Sequence, residues 1–178
     1  MAVIAMDRRK MTQVGEPERV LSAPVRVLVV EDHETYRAFV LSVLKTRPDF
    51  HIIAQAMDGT EAVRSAKEFR PDLILLDIGL PGLNGIEVAR RVSLLSPESR
   101  ILFVSQESSE EVVQAALAAG AVGYVLKTDA ARDLMPAINC ALVGSRFVSR
   151  SIAAIRKMRR PSDSNDPALG LSRKSGTS

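Results

Sequence analysis

The sequence has one cysteine, Cys140, in 178 residues. A single thiol closes no intramolecular disulfide and builds no cysteine-based metal cluster, the usage expected of a reducing, cytoplasmic setting. Long apolar runs are also missing. Stretches such as Val25 to Val30 and Leu73 to Leu76 fall far short of the ~20 residues needed to span a bilayer. Met1 to Ala5 is too short for a secretory core, because Asp7, Arg8, Arg9 and Lys10 follow at once. Neither export nor a membrane partner is expected. What is present, 46% hydrophobic and 25% charged residues, suits one globular domain of ordinary size with extra segments, and excludes a wholly disordered or fibrous chain.

The net charge of +3 and pI near 9.3 raise the question of nucleic acid. Divided along the chain, residues 1–24 carry +1, residues 25–143 carry −4 and residues 144–178 carry +6. The basic surplus therefore belongs to the C-terminal stretch with Arg146, Arg150, Arg156, Lys157, Arg159, Arg160, Arg173 and Lys174, and the middle is an acidic body. Residues 1–24 lack sustained periodicity and read as a flexible extension. Residues 144–178 read as a basic, largely disordered tail, because the composition from Pro161 onward buries too little apolar surface to offset ordering entropy. A short amphipathic helix near 149–160 is one alternative, with Ile152, Ile155 and Met158 on one side and arginines between. It would pack on the body or bind an acidic partner or nucleic acid.

The body alternates strictly. Val25 to Val30 reads as a strand buried on both faces, and Tyr36, Phe39, Val40, Val43 and Leu44 form one helical stripe. Strands are expected again at 51–56, 72–76, 100–104 and 122–126. Helices are expected at 59–69, 84–95, 110–119 and 130–143. This pattern predicts a doubly wound α/β domain over residues 25–143, with five parallel strands and five helices. Ligands of such sheets bind beyond the carboxyl ends of the strands.

Those ends carry Glu31 and Asp32, then Asp77, Ser105 and Lys127. Like charges ~4 Å apart repel by about 4 kcal/mol at an effective dielectric near 20, so three converging carboxylates call for a cation. Oxygen ligands without histidine or cysteine favour a hard ion, Mg²⁺ first. A carboxylate beside such an ion can attack phosphorus, and Ser105 and Lys127 could bind the new oxygens. Asp77 is the best nucleophile, since the loop after it is stiffened by Pro81 and kept close to backbone by its glycines.

The segments VLVVED (27–32), DLILLDIGLPGLNGIEV (72–88), ILFVS (101–105) and GYVLK (123–127) together resemble the receiver domain of two-component response regulators, a flavodoxin-like fold. The resemblance implies that Asp77 accepts a phosphoryl group from a histidine kinase or phosphotransfer protein. It implies Mg²⁺ on Glu31, Asp32, Asp77 and the backbone carbonyl of Gly79, a phosphate-contacting Lys127, a switch hydroxyl on Ser105 and an aromatic switch at Tyr124. On phosphorylation Tyr124 would turn inward, altering the face of the fourth helix, fifth strand and fifth helix that a downstream protein reads. Homodimers could form through that face or through the first and fifth helices.

Each residue also has a plainer reading. Asp77 could cap its turn, Glu31 and Asp32 could cap the first helix, Tyr124 could be packing, and Lys127 an end charge. Gln106 and Glu107 are larger and more polar than expected beside a switch hydroxyl. His33 and His51 read as surface or loop residues, and Cys140 as a small buried apolar residue. A phosphohydrolase on this fold would need a second Asp where Gly79 stands, so turnover of external phosphoesters is not expected. Similar receivers usually continue into a helix-turn-helix domain, whereas the 28 residues after Arg150 show no such pattern. The expectation is a stand-alone receiver that does not bind DNA through its folded domain. The alternatives are an output-less fragment of a DNA-binding regulator and a degenerate receiver that binds partners without phosphorylation.

Overall fold

The computed structural model describes residues 23–152. Six parallel strands, β1 (Val25–Val30), β2 (Phe50–Ala56), β3 (Leu73–Leu76), β4 (Arg100–Ser105), β5 (Gly123–Leu126) and β6 (Phe147–Val148), form one sheet in the order β2-β1-β3-β4-β5-β6. Helices α1 (Glu34–Lys45) and α5 (Ala130–Leu142) cover one face, and α2 (Gly59–Phe69), α3 (Gly85–Leu95) and α4 (Glu110–Ala118) cover the other. Each face buries its own core, because inward side chains of these strands alternate: Val27 and Val29 pack towards α1 and α5, Leu28 and Val30 towards α2 and α3. Among the described residues no helix is long and apolar enough to cross a membrane.

Helix starts follow local chemistry. Asp58 accepts from the Glu61 N–H while Glu61 accepts from the Met57 N–H, a reciprocal cap. Asn84 and Ser109 cap α3 and α4 with one bond each, their side-chain oxygens accepting from the Glu87 and Val112 N–H groups. The cap of α1 is His33, whose Nδ1 accepts from the Tyr36 N–H, and not Glu31 or Asp32.

The doubly wound α/β class stands, with six strands in place of five. β6 pairs parallel with β5. Two residues are too few for an alternating pattern to register in the sequence, and the strand is anchored mainly by the neighbouring Ser149. Ser149 N–H donates to the Tyr124 carbonyl at 2.9 Å, and the Leu126 N–H donates to Ser149 Oγ at 3.1 Å. A Cβ on Gly123 would lie 2.8 Å from the Phe147 carbonyl oxygen, so glycine there admits the sixth strand. The folded body therefore continues past 143, through β6, to Ile152, which is buried with Tyr124 and Val113. The backbone turns helical from Arg150 to Ile152; the rest of the expected 149–160 helix, the basic tail after it and the N-terminal extension through residue 22 lie outside the described residues.

Beneath β6 sits Asp133, a buried carboxylate on α5. The guanidinium of Arg132 at 2.7 Å, the Ser149 hydroxyl and the Arg150 N–H hold it below the usual carboxylate range, against the opposing effect of burial. Ser149→Ala removes both the acceptor for the Leu126 N–H and the donor to Asp133, at an expected cost of about 1–3 kcal/mol. Chemical denaturation checks this; a midpoint equal to wild type would show that Ser149 fastens nothing. Because the Asp133 shift is downward, its contribution is present above the ordinary carboxylate value and is lost as pH falls through the lowered one.

Candidate functional site: an acidic cluster at the strand ends

Parallel register brings the expected residues together. Val30 pairs with Leu76 and Leu76 with Phe103, so Glu31 and Asp77 emerge side by side at the ends of β1 and β3. The Asp77 N–H extends this ladder by donating to the Val30 carbonyl at 3.0 Å. Ser105 closes β4, and Lys127 opens the 3-10 turn that follows β5. Gly79 lies beside the Asp77 carboxylate, and Gly85 folds the loop back so closely that a Cβ there would collide with the Asp77 carbonyl.

Carboxylate oxygens of Glu31, Asp32 and Asp77 lie within 4.8 Å of one another. Glu31 and Asp77 are buried, and Asp32 is exposed. Lys127 Nζ bridges the buried pair, 2.7 Å from Glu31 Oε2 and 2.7 Å from Asp77 Oδ2. Asp77 Oδ1 takes the Ile78 N–H at 2.7 Å. Three carboxylates against one ammonium leave a net charge of −2 at the site, the charge that one divalent cation neutralises. The donor set, hard oxygens at a sheet edge, fits Mg²⁺.

The electrostatics follow from this shortage of positive charge. Burial, and then the Asp77 charge, raise the Glu31 pKa above its usual value despite the Lys127 hydrogen bond. Burial works to lower the Lys127 pKa, yet its bonds to Asp77 and Glu31 prevail and the ammonium is held. Excess negative charge thus falls on Glu31, where a proton or a metal ion can relieve it.

Ser105 is buried, and its Oγ accepts from the Glu107 N–H at 3.3 Å. Tyr124 is wholly buried against Phe103, with ring centroids 6.0 Å apart, and its hydroxyl donates to the Glu107 carbonyl at 2.8 Å. The ring already points inward, the orientation that the resemblance assigns to the switched state. Burial pushes the Tyr124 phenol up to about 12. Gln106, exposed, and Lys127 line a cleft of about 220 Å³ together with His33, Thr35, Tyr36 and Phe39.

Two residues of the site were illegible in the sequence. Tyr36 reads there as one member of the α1 apolar stripe, yet its ring lies beneath Lys127 Nζ, 4.5 Å from ring centroid to nitrogen. His33 reads as a loop residue, yet it caps α1 and lines the cleft. His51 is exposed on β2, as expected. Cys140 is half-buried rather than buried, because it sits at the rim of the α5 stripe, where its carbonyl takes the Ser145 N–H.

Residues 27–139 match the family model of the response regulator receiver domain. The chain belongs to the receiver domain family. This receiver is 30% identical over 152 residues to the transcriptional regulatory protein LiaR of Bacillus subtilis, an alignment that takes in 84% of the chain and 72% of LiaR. It is 33% identical to the nitrate/nitrite response regulator protein NarL of Escherichia coli K12 over 74% of the chain and 61% of NarL. Among solved structures it resembles a LuxR-family two-component response regulator from Aurantimonas, with TM-score 0.72 and 34% identity, over 76% of the chain and 98% of that structure.

Proposed function

We propose that the receiver accepts a phosphoryl group on Asp77 from a sensor histidine kinase or phosphotransfer protein, in a Mg²⁺-dependent reaction, and passes the change to a downstream protein. The observation that carries this reading is the net −2 cluster of Glu31, Asp32 and Asp77 with Lys127 directly on the Asp77 carboxylate. An Asp77 oxygen forms the new P–O bond as the P–N bond to the donor histidine breaks, and the electron pair leaves with the imidazole nitrogen. Bound Mg²⁺ would neutralise charge on Asp77 and on the phosphoryl oxygens, held by Glu31, Asp32, Asp77 and the Gly79 carbonyl. Lys127 would then move from the Asp77 carboxylate to a phosphoryl oxygen, and Ser105, buried beside Tyr124, would donate its hydroxyl to another. The changed Ser105 would register at Tyr124 through Glu107, whose N–H donates to Ser105 and whose carbonyl accepts from the Tyr124 hydroxyl.

On this reading the protein is a phosphoacceptor and not a turnover enzyme, in keeping with Gly79 in place of a second acid. The scarcity of cysteine supports a cytoplasmic setting. Incubation with a small phosphodonor and Mg²⁺, followed by intact-mass measurement, should show one added phosphate on the wild type; its absence with both reagents present would sink the reading.

Proton competition gives a second test. Since Glu31 holds its proton to a higher pH than an ordinary glutamate, Mg²⁺ must displace that proton as pH falls through the raised value. Calorimetric titration of Mg²⁺ should therefore show affinity weakening on acidification in that window. Glu31→Gln should flatten that dependence, along with weaker binding overall. A pH-independent wild-type affinity would show that Glu31 does not hold the ion.

A further inference from the structure

Tyr36 carries a hydroxyl whose oxygen is buried and finds no hydrogen-bond partner among the described residues. A phenol hydroxyl removed from water without a partner is costly, and native structures keep such groups where a ligand, ion or water supplies the bond. Its surroundings show which ligand. The ring lies 4.5 Å below Lys127 Nζ and forms one wall of the 220 Å³ cleft that Lys127 and Gln106 also line. Burial first, and then the charges of Glu31 and Asp77, hold this phenol protonated far beyond any physiological pH. At neutral pH such a phenol is a hydrogen-bond donor. The ring that carries this donor touches the one lysine of a site rich in negative charge, and that lysine is already engaged on both sides.

We propose that Tyr36 is a further residue of the phosphoacceptor site. Its hydroxyl donates to an oxygen carried into the site, on the phosphoryl group or on a water of the divalent ion, and its ring supports the Lys127 ammonium from below. The hydroxyl role is binding and the ring role is positioning. The proposal rests on the phosphoacceptor reading for its chemistry, and two substitutions separate its parts. Tyr36→Phe keeps the ring and deletes the donor; Tyr36→Leu deletes both.

The full chain and both variants are compared in three measurements: Mg²⁺ affinity by calorimetry, the rate of phosphate uptake from a small phosphodonor at saturating Mg²⁺, and the denaturation midpoint. Tyr36→Phe should unfold at or above the wild-type midpoint, since it removes an unpartnered buried hydroxyl, and take up phosphate about tenfold more slowly, the loss typical of a hydrogen bond to a charged group. Tyr36→Leu should slow it by about a further threefold as the ammonium loses its aromatic support. Slowed uptake with unchanged Mg²⁺ affinity assigns the hydroxyl to the phosphoryl oxygens, and weakened Mg²⁺ affinity assigns it to a water on the ion. A Tyr36→Phe protein equal to wild type in both measurements overturns the proposal. If the wild type binds Mg²⁺ but takes no phosphate, the phosphoacceptor reading fails by itself and the Mg²⁺ comparison decides Tyr36; a wild type that binds neither overturns both.

Discussion

Asp77→Asn should abolish phosphate uptake altogether while leaving the fold intact. Asparagine is nearly the same shape, so the Ile78 N–H keeps an oxygen acceptor at the Oδ1 position. It lacks the carboxylate charge that the proposed attack on phosphorus requires, and loses the anionic partner of Lys127 at 2.7 Å. The loss should therefore be complete rather than graded, and intact-mass measurement after incubation with donor and Mg²⁺ should show the unmodified mass alone. Phosphate on the variant would place the acceptor elsewhere. The same change reduces the cluster from net −2 to −1, so Mg²⁺ affinity should fall with it. Glu31 should also ionise more readily, since one of the charges raising its pKa is gone.

The second large effect concerns Lys127, which stands on the carboxylates that would hold Mg²⁺. It satisfies Glu31 and Asp77 from between them, with its own side chain only 7% exposed. Removing one partner of a buried charge cluster leaves the others uncompensated, at a typical cost of about 3–5 kcal/mol. For Lys127→Met in chelator about 3 kcal/mol is expected, the lower end of that range, because Glu31 can relieve the strain by taking a proton. Mg²⁺ should restore most of that stability, and it should bind the variant more tightly than wild type because the carboxylates then share their charge with no internal cation. Phosphate uptake, by contrast, should fall, since the phosphoryl oxygens lose their ammonium. Denaturation with and without Mg²⁺ checks both signs. A variant that Mg²⁺ does not stabilise would show that the lysine and the ion do not share these carboxylates.

Much of this arrangement was legible because it depends on register and on strand-end chemistry. Parallel strands of 4 to 6 residues, each followed by a helix, fix which side chains reach the carboxyl edge, so Glu31, Asp32, Asp77, Ser105 and Lys127 could be named from the alternation and the motifs. The missed residues are those whose role comes from packing across elements. Tyr36 sits in an apolar stripe and looks like core, because nothing local indicates that β5 will deliver a lysine over its ring. His33 as a helix cap was hidden by the acidic pair just before it, Glu31 and Asp32, which offered a carboxylate cap but lies in the cluster instead. Phe147 and Val148 are too few to declare a strand, and the buried Asp133 gives meaning to Ser149 only once α5 and β6 are adjacent.

That sixth strand has a mechanical consequence. Ser149 is bonded to the carbonyl of the very residue, Tyr124, whose ring adjoins Ser105, and Ile152 packs on the same side three residues later. A displacement of the Tyr124 backbone would therefore pull directly on Ser149, as through a short coupling rod. The outer edge of β5 is meanwhile sealed, so a partner seeking strand pairing on that side would meet β6, and could prise open the coupling only by stripping it away.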